Sequence, residues 1–352
     1  MIPISVCIIA KNEEKNIERC LSSLTPYGFE IVLVDTGSND KTKELAANYT
    51  NCIYDFKWND DFSAARNYSL QKATHNWILM LDCDEWIETL DMEELDYFRK
   101  HLSHAAGSVT RKNITGTPEQ PSMSIDRTER FYSKKFYYYT GIIHEQLTPK
   151  YEKSFNTYLL NITIGHSGYC MTNEERQLKS KRNVNLLLKQ LAVSPDNPYI
   201  YYQLGKGYQM IEDYEMACLY YSEGLSFDID PELAYVQSML IEYGHCLLNT
   251  GQGKKALSFE NVYDTFCSNA DFIYLMGEIY MSNKLYENAL DEFLKAVTFK
   301  FANQEGVTSF LSYYQIARIL YMAGEKASAI QYLKLCGEYP PALQMLQSLN
   351  SS

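Results

Sequence analysis

The stretch Ile78-Leu79-Met80-Leu81-Asp82-Cys83-Asp84-Glu85 is an apolar run that stops abruptly at two aspartates spaced i, i+2, with a third carboxylate beside them. Carboxylates at the end of a buried strand are costly unless a cation or a hydrogen-bonding ligand compensates them. Hard oxygen donors of this kind suit Mg²⁺ or Mn²⁺, which can neutralise the phosphates of a nucleotide. The spacing sets both aspartates on one side of an extended segment.

Three more apolar strands precede it. Ile4-Ser5-Val6-Cys7-Ile8-Ile9-Ala10 runs into Lys11-Asn12-Glu13-Glu14 and a helical stretch from Asn16 to Leu24. Ile31-Val32-Leu33-Val34 ends in Asp35-Thr36-Gly37-Ser38-Asn39-Asp40, ahead of a helix from Lys41 to Tyr49. Ile53-Tyr54-Asp55-Phe56 leads to the segment 58–67 and another helix. Near-continuous apolar strands alternating with helical periods predict a parallel sheet covered on both faces. Such sheets bind ligands beyond the carboxyl ends of their strands, where Asp35, Arg66, Asp82 and Asp84 all fall.

Four motifs occur in order: CIIAKNEE (7–14), VDTGSND (34–40), WNDDFSAARN (58–67) and LDCDE (81–85). Together they resemble a family 2 glycosyltransferase of GT-A fold, a Rossmann-like α/β domain with a mostly parallel sheet, over residues 1–169. The resemblance implies a UDP-sugar donor (UDP-glucose or UDP-N-acetylglucosamine) and a Mn²⁺ or Mg²⁺ ion. Asp35 would then accept a hydrogen bond from uracil, and Ile9, Ala10 and Lys11 would line the base and ribose site. Many relatives carry a second Asp where this chain has Thr36. Arg66 and Asn67 match a helix-start pair that contacts the nucleotide or its diphosphate. Asp82-Cys83-Asp84 corresponds to the DxD motif, with Asp84 on the metal and Asp82 on ribose or a water-bridged metal.

Two histidine motifs follow. Tyr139-Thr140-Gly141-Ile142-Ile143-His144-Glu145-Gln146 resembles the His-Glu motif of a bacterial subgroup. Inverting transfer needs a base to take the proton of the incoming nucleophile. Glu145 fits that role, with His144 holding diphosphate or acceptor; Glu85 and the acids around Asp126 and Glu129 are alternatives. Ile162-Thr163-Ile164-Gly165-His166-Ser167-Gly168-Tyr169 resembles a strand whose histidine closes the metal site, and neutral imidazole suits Mn²⁺. Purely structural roles exist for the same residues: an Asx turn at Asp35, and a surface ion pair from Arg66 to Asp60 or Asp61.

The bulk properties set limits. With 352 residues, 46% hydrophobic and 22% charged, the chain is long enough for two cored domains. A formal net charge of −12 argues against nucleic acid as a partner. No apolar run approaches the ~20 residues of a membrane span, and no leader-like segment opens the chain, so a cytoplasmic protein is expected. Nine scattered cysteines without a CxxC pair suggest reduced thiols rather than disulfides or zinc. The segment 107–139, with Pro118 and Pro121, lacks periodicity and reads as a lid or acceptor loop. Within it Phe136-Tyr137-Tyr138-Tyr139 could stack on sugar or form a half-buried strand.

Beyond a polar helical connector (170–197), the chain repeats at about 34 residues, the period of tetratricopeptide (TPR) helix pairs. One unit carries Leu204-Gly205, Tyr208, Ala217 and Tyr221; a third carries Gly277, Ala289 and Phe293; a fourth carries Ala317, Ala329 and Leu333. A weaker second unit centres on Gly244 and Ala256. An all-α TPR superhelix over 198–345 with a tail at 346–352 is expected. It would serve peptide or protein recognition, or else buttress the enzyme or pair two copies.

The domain combination resembles bacterial enzymes that put sugar on cysteine or serine of peptides or proteins. It also resembles lipopolysaccharide core glucosyltransferases, which would make a lipid-linked or core saccharide the acceptor. A TPR scaffold with a decayed transferase domain is the reading from another class; the intact Asp35, Arg66, Asp82, Asp84 and Glu145 argue against it.

Overall fold

Apolar residues at both odd and even positions of Ile4–Ala10 (β1) place this strand at the centre of a sheet covered on both sides. Ile4, Val6 and Ile8 face Ile17, Cys20 and Leu21, whereas Cys7 packs toward Leu70 and Ala73. The computed structural model describes residues 2–117, 120–152, 154–168 and 172–350. Pro118, Tyr169 and Cys170 lie outside them. Two compact units are formed, 1–192 and 193–352.

In the first unit, β1 pairs in parallel with Glu30–Asp35 (β2) and with Trp77–Asp82 (β4), and β2 with Ile53–Asp55 (β3). The eight-stranded order is β3-β2-β1-β4-β7-β6-β10-β5, where β5 is Glu85–Leu90, β6 Ala106–Thr117, β7 Gln120–Ser133 and β10 Thr157–His166. The β6–β10 pair is parallel; β4–β7, β6–β7 and β5–β10 are antiparallel. A parallel half therefore continues into a mixed half. Tyr137–Thr140 (β8) and Gln146–Pro149 (β9) form a separate hairpin. Helices α1 (Ile17–Ser22), α2 (Thr42–Ala46), α3 (Phe62–Lys72) and α4 (Met92–His101) flank the sheet. The unit ends in the long helix α5 (Asn173–Val193).

One expectation for 107–139 needs correction, and one open alternative within it is decided. Most of that stretch is the long β6–β7 hairpin rather than an irregular loop. Its alternation is hidden because polar residues, Asn113 and Arg130, occupy buried positions. Tyr137 and Tyr139 are buried and Tyr138 is 38% exposed, the period of a half-buried strand.

The second unit is a TPR-like stack of helix pairs: α6 (Pro198–Met210) with α7 (Tyr214–Gly224), α8 (Ala234–Asn249) with α9 (Gly253–Ala256) and α10 (Tyr263–Phe266), α11 (Ala270–Ser282) with α12 (Tyr286–Ala296), and α13 (Phe310–Met322) with α14 (Lys326–Leu335). A Cβ at Gly205 would overlap the Tyr221 ring, and one at Gly277 would lie 2.6 Å from Phe293, so small residues admit the aromatics of the partner helix. The second pair is faint in sequence because its return helix is broken, with a 3₁₀ stretch at Leu257–Val262. Residues 346–350, expected as a tail, are the last turn of α15 (Pro340–Asn350), and Leu349 is buried.

Candidate active site

The carboxyl ends of three strands lie side by side: Ala10 pairs with Asp35 and Ile9 with Asp82. Asp35 is 2% exposed. Its Oδ2 accepts from the backbone N–H groups of Gly37 and Ser38, both at 3.0 Å, while Oδ1 is buried without a hydrogen-bond partner. The carboxylate thus fills its turn role with one oxygen and keeps the other bare, at a cost of about 1–3 kcal/mol until an N–H meets it. Ala10 is buried, and its carbonyl accepts from Thr36 N at 2.9 Å and Thr36 Oγ1 at 3.0 Å. Thr36 therefore ties β1 to β2. Ile9 is half-buried and Lys11 exposed.

Both oxygens of Asp82 are engaged. Arg66 Nη2 lies 2.7 Å from Oδ1 and Arg130 Nη2 2.9 Å from Oδ2. Burial pushes the Asp82 carboxyl up, but the two guanidiniums outweigh it and hold it well below the usual range. Arg66 also reaches Glu145 Oε1 through Nε, at 2.5 Å, and its Nη1 is buried without a partner. It does not pair with Asp60 or Asp61: Asp60 pairs with Lys189, and Asp61 accepts from Ala64 N at 2.9 Å to cap α3. Glu85 is fully buried, 2.6 Å from Arg130 and 3.4 Å from Arg111, and accepts from Asp82 N at 2.9 Å. Burial raises its pKa. Sealed in this way, Glu85 cannot meet an acceptor. Arg111 grips Asp126 through Nε and Nη2, at 3.0 and 2.8 Å, which occupies that acid too.

Two predicted contacts take a different form. The Asn67 amide donates to Tyr139 O at 2.8 Å and accepts from Tyr139 N at 2.9 Å, so it clamps β8 onto α3. The Cys83 thiol is buried and donates to Ile9 O at 3.3 Å, leaving its backbone as the part that could face a ligand.

Asp84 and His166 come together. His166 Nε2 lies 3.4 Å from Asp84 Oδ2, and Nδ1 lies 2.7 Å from Asn113 Oδ1. Asn113 Nδ2 donates to Asp126 Oδ2 at 3.1 Å, which fixes its Oδ1 as the acceptor toward the imidazole. Nδ1 therefore carries a proton donated to Asn113, which turns Nε2 toward Asp84. A Cβ at Gly168 would overlap Asp84 Oδ2 and come within 2.6 Å of His166 Nε2. A carboxylate and an imidazole, with water and phosphate oxygens in the remaining positions, fit Mn²⁺ or Mg²⁺. Asp82 does not complete a trio: among the described residues no group of three His, Cys, Asp or Glu side chains is arranged to hold an ion. Glu13 is the other acid nearby; burial, then Asp84 and Asp82, raise its pKa.

The turn between β8 and β9 brings Glu145 to Arg66. Gly141 (φ 97°) and His144 (φ 51°) take left-handed conformations, and Phe62 N donates to Ile142 O at 2.8 Å. Glu145 is mostly buried, with Oε1 taken by Arg66; His144 is exposed.

Residues 5–175 match the family model described as glycosyl transferase family 2. The N-terminal unit is a family 2 glycosyltransferase domain. The chain is 26% identical over 295 residues to a TPR repeat-containing protein of Synechococcus elongatus, covering 82% of this chain and 72% of that one. It is 26% identical over 230 residues to the SPbeta prophage-derived glycosyltransferase SunS of Bacillus subtilis, covering 64% and 54%. Among solved structures, YrrB, a TPR protein with an unusual peptide-binding site, is 16% identical, with a TM-score of 0.40 over 48% of this chain and 84% of that one.

Sequence reading named Asp35, Arg66, Asp82, Asp84, Glu145 and His166 as candidates; Arg130, Arg111, Asn113 and Glu13, which stand beside them in the structure, it did not name. The available signal was Arg111, Asn113, Asp126 and Arg130 at polar positions in two stretches of β-compatible residues. No helix of the described residues is long and apolar enough to cross a membrane.

Proposed function

We propose that the chain transfers a hexose from a UDP-sugar, with inversion and with a divalent ion, to a Cys or Ser/Thr side chain of a peptide or protein recognised in part by the helical repeats. The observation that carries the donor reading is the bare, buried Oδ1 of Asp35, an acceptor matched to the imide N–H of uracil. Asp84 and His166 would hold the ion, which when bound stabilises negative charge on the departing diphosphate. Arg66 holds Asp82 and Glu145 in register and keeps Nη1 for a phosphate oxygen. Glu145 would take the nucleophile's proton at Oε2, since Arg66 occupies Oε1.

The acceptor reading rests on the repeats. Stacked helix pairs offer an extended surface suited to a polypeptide. Between α8 and α11 a cavity of about 630 Å³ is lined by His245, Glu278, Lys254 and Lys284, a mixed-charge lining able to grip backbone and side chains.

Incubation with Mn²⁺ and a panel of UDP-sugars, assayed for UDP release, tests the donor half. Mass spectrometry of candidate peptides then tests the acceptor half. Neither binding nor hydrolysis of any UDP-sugar would leave the scaffold reading standing, and label appearing only on saccharide would move the acceptor to a glycan.

A further inference from the structure

Helix α5, read from sequence as a connector, lays one face along the glycosyltransferase site. Lys179, Arg182, Leu186, Lys189 and Gln190 follow at i, i+3, i+7, i+10 and i+11, one side of a helix. At one end Lys179 Nζ donates to Gly168 O at 3.3 Å, beside the Asp84–His166 pair. At the other, Gln190 Oε1 accepts from Ile143 N at 3.4 Å, next to His144, and Lys189 pairs with Asp60. Between them the Arg182 guanidinium stands 5.7 Å from the centre of the Phe62 ring, one turn before Arg66 on α3. Eleven helical residues rise ~16 Å, enough to run from the Gly168 loop to the His-Glu loop.

Burial pulls the Lys179 pKa below the ordinary lysine value, against the attraction of Asp84, Asp82 and Glu13. Arg182 hydrogen-bonds Asn183 Oδ1 and makes no ion pair among the described residues. It stays solvent-accessible although surrounding protein lowers its pKa. Negative charge on the ligand side would repay both. Breaking the glycosidic bond of a nucleotide sugar leaves the electron pair on the terminal phosphate oxygen, adding charge next to Asp84.

We propose that Lys179, with Arg182 one turn behind it, binds the diphosphate of the donor, so that α5 forms the leaving-group wall of the site. This rests on the nucleotide-sugar reading above and adds to it a residue outside the four motifs. A charge-assisted hydrogen bond from the ammonium holds UDP more than uridine, because only UDP carries the phosphates.

Calorimetric titration of the full chain with UDP and with uridine, in Mn²⁺ and again in EDTA, tests it. In Lys179→Gln, UDP affinity falls by about ten- to a hundredfold, with and without the ion, while uridine affinity holds. Lys179→Arg recovers most of the loss, and the salt dependence of UDP binding is shallower in the glutamine variant. Unchanged UDP affinity in Lys179→Gln, or a parallel loss for uridine, overturns the proposal and leaves the donor reading intact. Wild-type protein that binds no UDP overturns both.

Discussion

Asn113 Oδ1 lies 2.7 Å from His166 Nδ1, both side chains nearly sealed from solvent, and this contact decides which imidazole nitrogen faces Asp84. Arg111 and Asp126 hold the asparagine from behind. Outer partners of this kind typically change metal affinity by about 10–100-fold. Asn113→Ala is therefore expected to weaken Mn²⁺ binding by that factor, read from free Mn²⁺ by electron paramagnetic resonance, while Asn113→Asp retains it. Equal affinity in the alanine variant would remove His166 from the ion site.

Arg130, itself buried, stands between the partly exposed Asp82 and the fully buried Glu85. Removing one member of a buried pair strands its partner and costs about 3–5 kcal/mol. Arg130→Leu should lower the stability of the N-terminal unit by that amount in chemical denaturation. Glu85→Gln should cost less, because burial already favours the neutral form of that carboxyl. The opposite ranking would mean that Glu85, not Arg130, organises the network.

The parallel half of the sheet was legible because strands buried on both faces read as unbroken apolar runs, and their ends marked Asp35 and Asp82. The mixed half was not. Asn113 and Arg130 turn polar atoms inward, which erases the alternation that betrays a strand. Motif spacing also could not show that Arg66 meets Glu145 across 79 positions, or His166 meets Asn113 across 53. Both pairs are products of tertiary closure. The second repeat pair was faint for a local reason, the 3₁₀ break in its return helix.

Acid should act on the site in a defined direction. The folded Asp82 carboxyl titrates below its unfolded value of about 3.9. Its contribution to stability is thus complete above that value and lost as pH falls through the lower, folded one. At pH 7 Asp82→Asn should be less stable than the wild type, and the gap should begin to narrow as pH falls below about 4. Glu85, with its folded value raised, contributes with the opposite slope. Denaturation midpoints at pH 7, 5, 4 and 3 provide the check; a gap that widens on acidification contradicts the arrangement of the two arginines.

Two glycines separate site chemistry from fold stability. Gly168 leaves room that a methyl group would take from Asp84 and His166, in a loop outside the sheet. Gly168→Ala should therefore abolish ion-dependent donor binding while the melting temperature stays close to the wild type's. Gly205 leaves room for the ring of Tyr221, which is fully buried. Overpacking there costs about 1–3 kcal/mol, so Gly205→Ala should lower the unfolding midpoint of the helical unit and leave UDP affinity unchanged. Donor affinity that follows Gly205 rather than Gly168 would mean that the Asp84–His166 cradle is not where the nucleotide sugar is held.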